Sequence, residues 1–359
     1  MHEPRQLRCL IAAGGTVGHV APALAVAEAL RERGVTVTFA GSPDRVEAQL
    51  VPERGYEFDA FAISGLPRRP GLALVRALLK ALGAPAACAR ILARRRPDVV
   101  LGGGGYVAGP MVVAAWLRGI PAAVTEADAH LGLANRLAAP FARRVLLAYP
   151  VEGRNGGKYR VVGRPIPATS AAVPREPARR RFELPLEGQV VLVAGGSLGA
   201  RTLNETALDA WGDAGPSVIH VCGERDYEEL RGRVHRDDYR LVPFVDDYGA
   251  ALGAADLAVS RAGGSVWEVA AAGLPAVLVP YPEATADHQS KNAEYFARAG
   301  GAVVVPDREA RTRVPALVAE LLADRAGLER RAAAMRTAAK PHAADEIADE
   351  LISIATARR

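Results

Sequence analysis

The hydrophobic positions of this chain fall into short unbroken runs, each followed by glycines or polar residues and then by a stretch with helical spacing. Leu7 to Ala13, Val35 to Ala40, Val99 to Leu101, Ala122 to Thr125, Val190 to Ala194, Asp256 to Ser260 and Ala276 to Pro280 are such runs. Apolar runs of this length, without polar alternation, predict strands buried on both faces, as in parallel sheets. Helices are predicted at Pro22 to Arg33, through Trp116, from Ala200, from Ser265-Val266-Trp267-Glu268 and from about Ser290 to Ala299. Strand, glycine turn and helix open both halves of the chain, which therefore reads as α/β with two doubly wound, Rossmann-like domains facing across a cleft.

Around Val161 to Pro167 the pattern breaks, and prolines at 165, 167, 174, 177 and 185 mark an interdomain connection. The division read from this is 1–163 and 164–340, with a last helix of about 341–359, set off by Pro341, as a candidate to pack back onto the first domain. A length of 359 residues suits two domains of ordinary size. Cys9, Cys88 and Cys222 lie far apart and form no C-x-x-C pair, so no disulfide framework or zinc site is signalled and a reducing compartment is expected. The apolar run at the N-terminus is too short for a signal peptide, and no uncharged stretch reaches the length of a membrane span. A cytoplasmic location follows as an expectation.

Charge changes the picture by its distribution. Residues 1–163 hold 21 Lys+Arg against 12 Asp+Glu, and the remainder holds 24 against 28. The first half is the basic one, which suits nucleic acid, an anionic membrane or a phosphorylated substrate. No RNP, helix-turn-helix or zinc-finger pattern accompanies the charge, so nucleic acid is not expected. Much of the charge sits at 66–96, where Leu72, Leu74, Val75, Leu78, Leu79 and Leu82 make an apolar helical face surrounded by Arg68, Arg69, Arg76, Lys80 and Arg94 to Arg96. Such a helix either docks on an anionic bilayer or packs its apolar face into a core and leaves the basic side in water.

The glycine turns carry the candidate chemistry. Gly14-Gly15-Thr16-Val17-Gly18-His19, Gly102 to Pro110, Gly195 to Gly199 and Ala262-Gly263-Gly264 each follow a strand and precede a helix, where backbone amides and the helix dipole favour an anion. The first turn is not G-x-G-x-x-G, and no acidic residue closes the following strand, so NAD or FAD is not expected. His19 is a candidate general base; its other reading is a histidine that bonds its own turn. Ser265 and Glu268 read either as a capping box, S-x-x-E, or as ligand contacts. Glu126 and Asp128 sit at a strand end, but no D-x-D run occurs, so metal dependence is not expected.

Taken together, GGTVGH (14–19), GGGGYVAGP (102–110), GGSLGA (195–200), SRAGGSVWEVAAAGLPAVLVPYP (260–282) and DHQSKNA (287–293) resemble the MurG family. These are GT-B transferases that move N-acetylglucosamine from UDP to lipid-linked N-acetylmuramoyl-pentapeptide, an inverting single displacement in peptidoglycan synthesis. The resemblance covers nearly the whole chain. It implies that Glu268 accepts both ribose hydroxyls, that the Val245 backbone reads uracil, and that Ser197, Gly263, Gly264 and Ser265 lie against the diphosphate. Gln289 and Asn292 would meet the sugar, and Thr16 would join the donor site. Gly14, Gly15, Gly18, Gly103, Gly104, Gly105 and Tyr106 would face the acceptor pyrophosphate.

For catalysis the resemblance points to His19 first and Asp128 second, with no metal and no cofactor beyond the donor substrate. Leu72, Val75, Leu79, Leu82 and Trp116 would form a patch on the anionic inner membrane surface, placing a peripheral protein on the cytoplasmic face with an undecaprenyl-linked acceptor and cell-wall synthesis proteins as partners. Three departures from the family pattern stand out. Val17 replaces a usual glycine, Thr125-Glu126-Ala127-Asp128 replaces His-Glu-Gln-Asn, and Pro167 stands at a usual arginine. They keep open a transferase with another lipid or natural-product acceptor, or an inactive protein that only binds nucleotide sugars.

Overall fold

The computed structural model describes residues 6–63, 72–196 and 199–357, the side chains of 72–82 excepted. These residues form two compact units, 1–167 with 341–359, and 168–340. The boundary between them falls after Pro167, and the Arg164 side chain is hydrogen-bonded within the first unit.

In the first unit, strands β1 (Arg8–Ala12), β2 (Thr36–Gly41), β3 (Glu57–Ala60), β4 (Val99–Gly102), β5 (Ala122–Glu126), β6 (Arg144–Leu147) and β7 (Tyr159–Val161) form one sheet in the order β3-β2-β1-β4-β5-β6-β7, every pair parallel. In the second, β8 (Val190–Ala194), β9 (Ser217–Val221), β10 (Tyr239–Val242), β11 (Leu257–Ser260), β12 (Ala276–Leu278) and β13 (Ala302–Val304) follow the order β10-β9-β8-β11-β12-β13, again parallel throughout. The doubly wound reading of both halves holds. Strand order reverses between β1 and β4 in one sheet and between β8 and β11 in the other, and ligands in such sheets sit outside the strand ends at that reversal.

The connecting helices of the first unit are α1 (Val17–Glu32), α2 (Glu47–Glu53), α3 (Leu72–Arg95), α4 (Ala108–Leu117) and α5 (Leu133–Ala138). Those of the second are α6 (Arg175–Arg181), α7 (Arg201–Trp211), α8 (Glu224–Leu230), α9 (Tyr248–Ala254), α10 (Val266–Ala271), α11 (His288–Arg298), α12 (Ala310–Ala323) and α13 (Arg325–Ala338). The last helix, α14 (Ala343–Thr356), returns to the first unit and packs beside α1. Its Ile347, Leu351 and Ile354 are buried in one cluster with Val26 and Leu30 of α1 and Ile11 of β1. Their spacing of four and three residues puts them on one helical face.

Helix α1 starts earlier than its sequence suggests. Pro22 reads as a first-turn proline, yet the helix begins at Val17 and carries Pro22 inside it. The cost of an internal proline is a carbonyl four residues back with no N–H to meet it. Here that carbonyl belongs to Gly18, and the Arg164 guanidinium donates to it at 2.6 Å.

Candidate active site

At the reversal point of the first sheet, the turns after β1 and β4 lie against each other. A Cβ at Gly105 would come within 2.1 Å of the Gly14 carbonyl oxygen, and one at Gly103 within 2.8 Å of the Ala13 Cβ, so both positions need glycine for this approach. The Gly103 N–H donates to the Ala12 carbonyl. The Gly15 N–H donates to Glu47 Oε2 at 3.0 Å, while Glu47 Oε1 accepts from the Ser42 N–H. Glu47 is wholly buried and lies under Gly14, where any Cβ would meet its carboxylate.

The amides of Gly15 and Gly103 are bonded inside the protein and shape the turn. The outward-facing part is the start of α1, where Thr16, Val17 and Gly18 are exposed at the N-terminus of a 16-residue helix. Such a helix end presents unpaired N–H groups and a positive dipole. Val17 lies in the helix with its side chain in solvent, so its backbone does not need glycine. The Tyr106 ring packs on Gly15, and its hydroxyl is buried with no hydrogen-bond partner among the described residues.

His19 sits on the first turn of α1. Its Nδ1 is 3.3 Å from Thr16 Oγ1, and its ring lies against Gly104. The contact with Thr16 ties the side chain to its own turn. Burial lowers its pKa below 6.5, and the Arg164 guanidinium lowers it further, while Asp128 and Glu47 act the other way. Neutral imidazole, the form that can accept a proton, is the result at neutral pH.

Arg164 bridges the first turn of α1 and the loop after β5, donating to Gly18 O and, at 3.4 Å, to Ala127 O. Glu126 turns back into its own loop. It accepts from the N–H groups of Ala127, Asp128 and Gly132 and from Asn135 Nδ2, and burial pushes its carboxyl above the usual range against the pull of these donors. Glu126 orders the loop that carries Asp128.

At the reversal point of the second sheet lie the turns after β8 and β11. The Ser265 side chain makes no capping hydrogen bond, so the capping box is not formed. Glu268 Oε1 instead accepts from Ser170 Oγ at 2.5 Å. The helix behind the Gly263-Gly264 turn, α10, has only six residues, so its dipole is short and an anion there would depend on the turn's own amides. The seat is rigid: Trp267 is fully buried edge-on to Phe296 of α11, and the Arg261 guanidinium donates to the carbonyls of Val279 and Pro280 and to Asp307. Gln289 Oε1 accepts from the Tyr281 N–H, and its Nε2 lies 3.8 Å from where a Gly263 Cβ would stand. Just before it, Ala286 and Asp287 both have left-handed backbone, at φ 53° and 52°. Non-glycine residues held so cost of order 1–3 kcal/mol each and cluster at functional loops.

Asn292 is wholly buried and donates to the Ala262 carbonyl, which ties α11 to the glycine turn. Val245 follows β10 in the loop before Asp247, whose side chain caps α9. Ser197 lies outside the described residues, as do the side chains of Leu72, Val75, Leu79 and Leu82. Trp116 is 53% exposed and lies edge-on to Phe141. Glu47 and Ser170 were not legible as site residues, since each meets its partner across a separation that no local spacing marks. No group of three or more His, Cys, Asp or Glu side chains suited to a metal occurs among the described residues.

Comparison with known proteins bears on the family and the fold. The model of the glycosyltransferase family 28 N-terminal domain matches residues 9–147, and that of the family's C-terminal domain matches 190–349. A protein of Halorhodospira halophila, named UDP-N-acetylglucosamine--N-acetylmuramyl-(pentapeptide) pyrophosphoryl-undecaprenol N-acetylglucosamine transferase, is 45% identical over 350 residues, covering 94% of this chain and 96% of the relative. Among solved structures, Acinetobacter baumannii MurG superposes with a TM-score of 0.78 at 30% identity, over 97% of this chain and 99% of that one. The glycosyltransferase of kitacinnamycin gives 0.75 at 22% identity over 98% and 100%, which speaks for the fold alone.

Proposed function

The chain belongs to the MurG family within glycosyltransferase family 28, and from that premise we propose that it moves N-acetylglucosamine from UDP-GlcNAc to the C4 hydroxyl of N-acetylmuramoyl-pentapeptide on undecaprenyl pyrophosphate, the step from lipid I to lipid II. It is a hexosyltransferase of GT-B fold. The observation that carries the reading of the site is the pairing, on one motif of the second unit, of a glycine turn with a carboxylate that does not cap its own helix. A helix start that needed only a cap would have used Glu268 locally.

In this mechanism Glu268 holds the ribose hydroxyls, the Val245 backbone reads uracil, and Ser197 with Gly263, Gly264 and Ser265 faces the diphosphate. Gln289 bonds the sugar through the Nε2 side of its oriented amide. Neutral His19 takes the proton from the acceptor hydroxyl as its oxygen attacks the anomeric carbon, and the bond to UDP breaks with inversion. Turn amides stabilise the leaving diphosphate, so no metal is needed. Arg164 holds the first turn of α1, which carries His19, Glu126 holds the loop that carries Asp128, and the acceptor pyrophosphate meets the start of α1.

The protein works at the cytoplasmic face of the membrane. Among the described residues no helix is long and apolar enough to cross a bilayer, whereas Trp116, Leu117, Leu133 and Leu137 of α4 and α5 expose apolar side chains beside exposed Arg118 and Arg136. This pattern suits an anionic interface.

Calorimetry with UDP-GlcNAc, UDP-glucose and UDP-galactose, with and without Mg²⁺, tests the donor site. Metal-independent binding selective for UDP-GlcNAc, lost in Glu268→Ala, is expected, together with UDP release only when lipid acceptor is added. Failure of every UDP-sugar to bind, or binding without turnover on any acceptor, would defeat the transferase reading.

A further inference from the structure

We propose that Ser170 is a positioning residue for donor recognition, holding the Glu268 carboxylate in the orientation that grips the ribose; the proposal rests on the reading of Glu268 as the ribose ligand. Ser170 closes a 3₁₀ turn, Ala168–Ser170, at the start of the second unit, and it is 8% exposed. An ionised carboxylate only accepts, so the serine hydroxyl is the donor of the 2.5 Å bond, a length normal for a hydroxyl on a charged oxygen.

What makes Ser170 a fixed point is the backbone around it. The segment from Thr169 to Val173 lies flat on one face of α9, where Gly249 and Gly253 sit one turn apart. A Cβ at Gly249 would come within 2.1 Å of the Ala171 carbonyl oxygen, and one at Gly253 within 1.8 Å of that of Val173. The Val173 N–H donates to the Gly249 carbonyl at 3.0 Å, which locks the contact. A serine on this pinned segment has little freedom in where it sends its hydroxyl.

Glu268, by contrast, has a long side chain on the first turn of a short helix, and in solution its rotamers would have to be ordered when a ligand binds. Ser170 orders them beforehand, which lowers the cost of binding. It bonds one lone pair of Oε1, and a carboxylate offers about four acceptor sites in all. Tyr248 stands at the start of α9 with its hydroxyl buried and without a hydrogen-bond partner among the described residues; burial and the nearby Glu268 charge push its ionisation up, so it stays a neutral wall.

The test compares UDP with 2′,3′-dideoxy-UDP by calorimetry on wild type, Ser170→Ala, Ser170→Thr and Glu268→Ala, with melting temperature as a control of folding. Wild type should prefer UDP by roughly a hundredfold, the worth of two hydrogen bonds to a charged group. In Ser170→Ala, UDP should weaken about tenfold with the dideoxy analogue unchanged, so that the preference shrinks. Ser170→Thr, which keeps the hydroxyl, should restore it. An unchanged preference in Ser170→Ala, or equal weakening of both ligands, would overturn the proposal. If wild type itself does not discriminate and Glu268→Ala binds like wild type, the ribose reading fails and the role of Ser170 falls with it.

Discussion

The charge environment of His19 sets the sign of its pH response. Burial and Arg164 favour the neutral ring, Asp128 and Glu47 the charged one, and the net shift is downward from 6.5. Neutral His19 persists above its lowered pKa, and activity that needs it is lost as pH falls through that value. Arg164→Met removes a cation beside the ring, so the acid limb of the kcat profile should move to higher pH; Asp128→Asn removes an anion and should move it lower. Limbs that stay in place in both variants would take His19 out of the proton transfer. Glu268 shows where legibility ended at this scale. The S-x-x-E spacing correctly put Glu268 on the first turn of a helix behind a glycine turn, but it fitted a cap and a ligand contact equally well. Its partner Ser170 stands 98 residues earlier, and no local pattern reports such a contact. Glu47 was hidden for the same reason, as was the bond from Asn292 to the Ala262 carbonyl.

Among the elements, those with apolar runs buried on both faces could be read closely from sequence, since β8 falls on the expected Val190 to Ala194. The edge strands β7 and β13 were not marked out: each has three residues and partly exposed positions, too short for any periodicity. The start of α1 misled for a physical reason, since a proline inside a helix is tolerated when another donor, here Arg164, serves the carbonyl it leaves open. The glycine pair on α9 supplies the test at this scale. Gly253→Ala places a methyl where the Val173 carbonyl lies, so α9 and the segment must separate, at a cost of about 1–3 kcal/mol. A fall in melting temperature is expected; Gly232→Ala, in open space, serves as the control and should melt within about 0.5 kcal/mol of wild type. Equal melting of the two variants would show that the contact is slack.

For the whole molecule, the chain leaves the first unit after Pro167, completes the second, and returns at Pro341. The return matters energetically: Ile347, Leu351 and Ile354 of α14 are fully or nearly fully buried against α1 and β1, and side chains of this kind contribute roughly 1.5–3 kcal/mol each. Their sum rivals the whole stability of an ordinary domain, about 5–15 kcal/mol. The ion pairs alongside, Arg33 with Asp345 and Asp349 and Arg144 with Glu350, are partly exposed and add little. Deleting residues 341–359 should therefore strip hydrogen-exchange protection from the first unit while leaving that of 168–340 intact, as read by mass spectrometry on peptides from each. Protection that survives in β1 and α1 would mean that α14 is dispensable.

This arrangement also fixes an order of events during synthesis. A ribosome releases residues 168–340 as a finished folding unit while the half made before them still lacks its closing helix. At roughly 5–20 residues per second, the α1 face that α14 will cover stays bare for on the order of fifteen to sixty-five seconds. The first unit to be translated is the last to be completed, and in that interval the nascent chain is most exposed to chaperones, to proteases and to its neighbours on the same messenger.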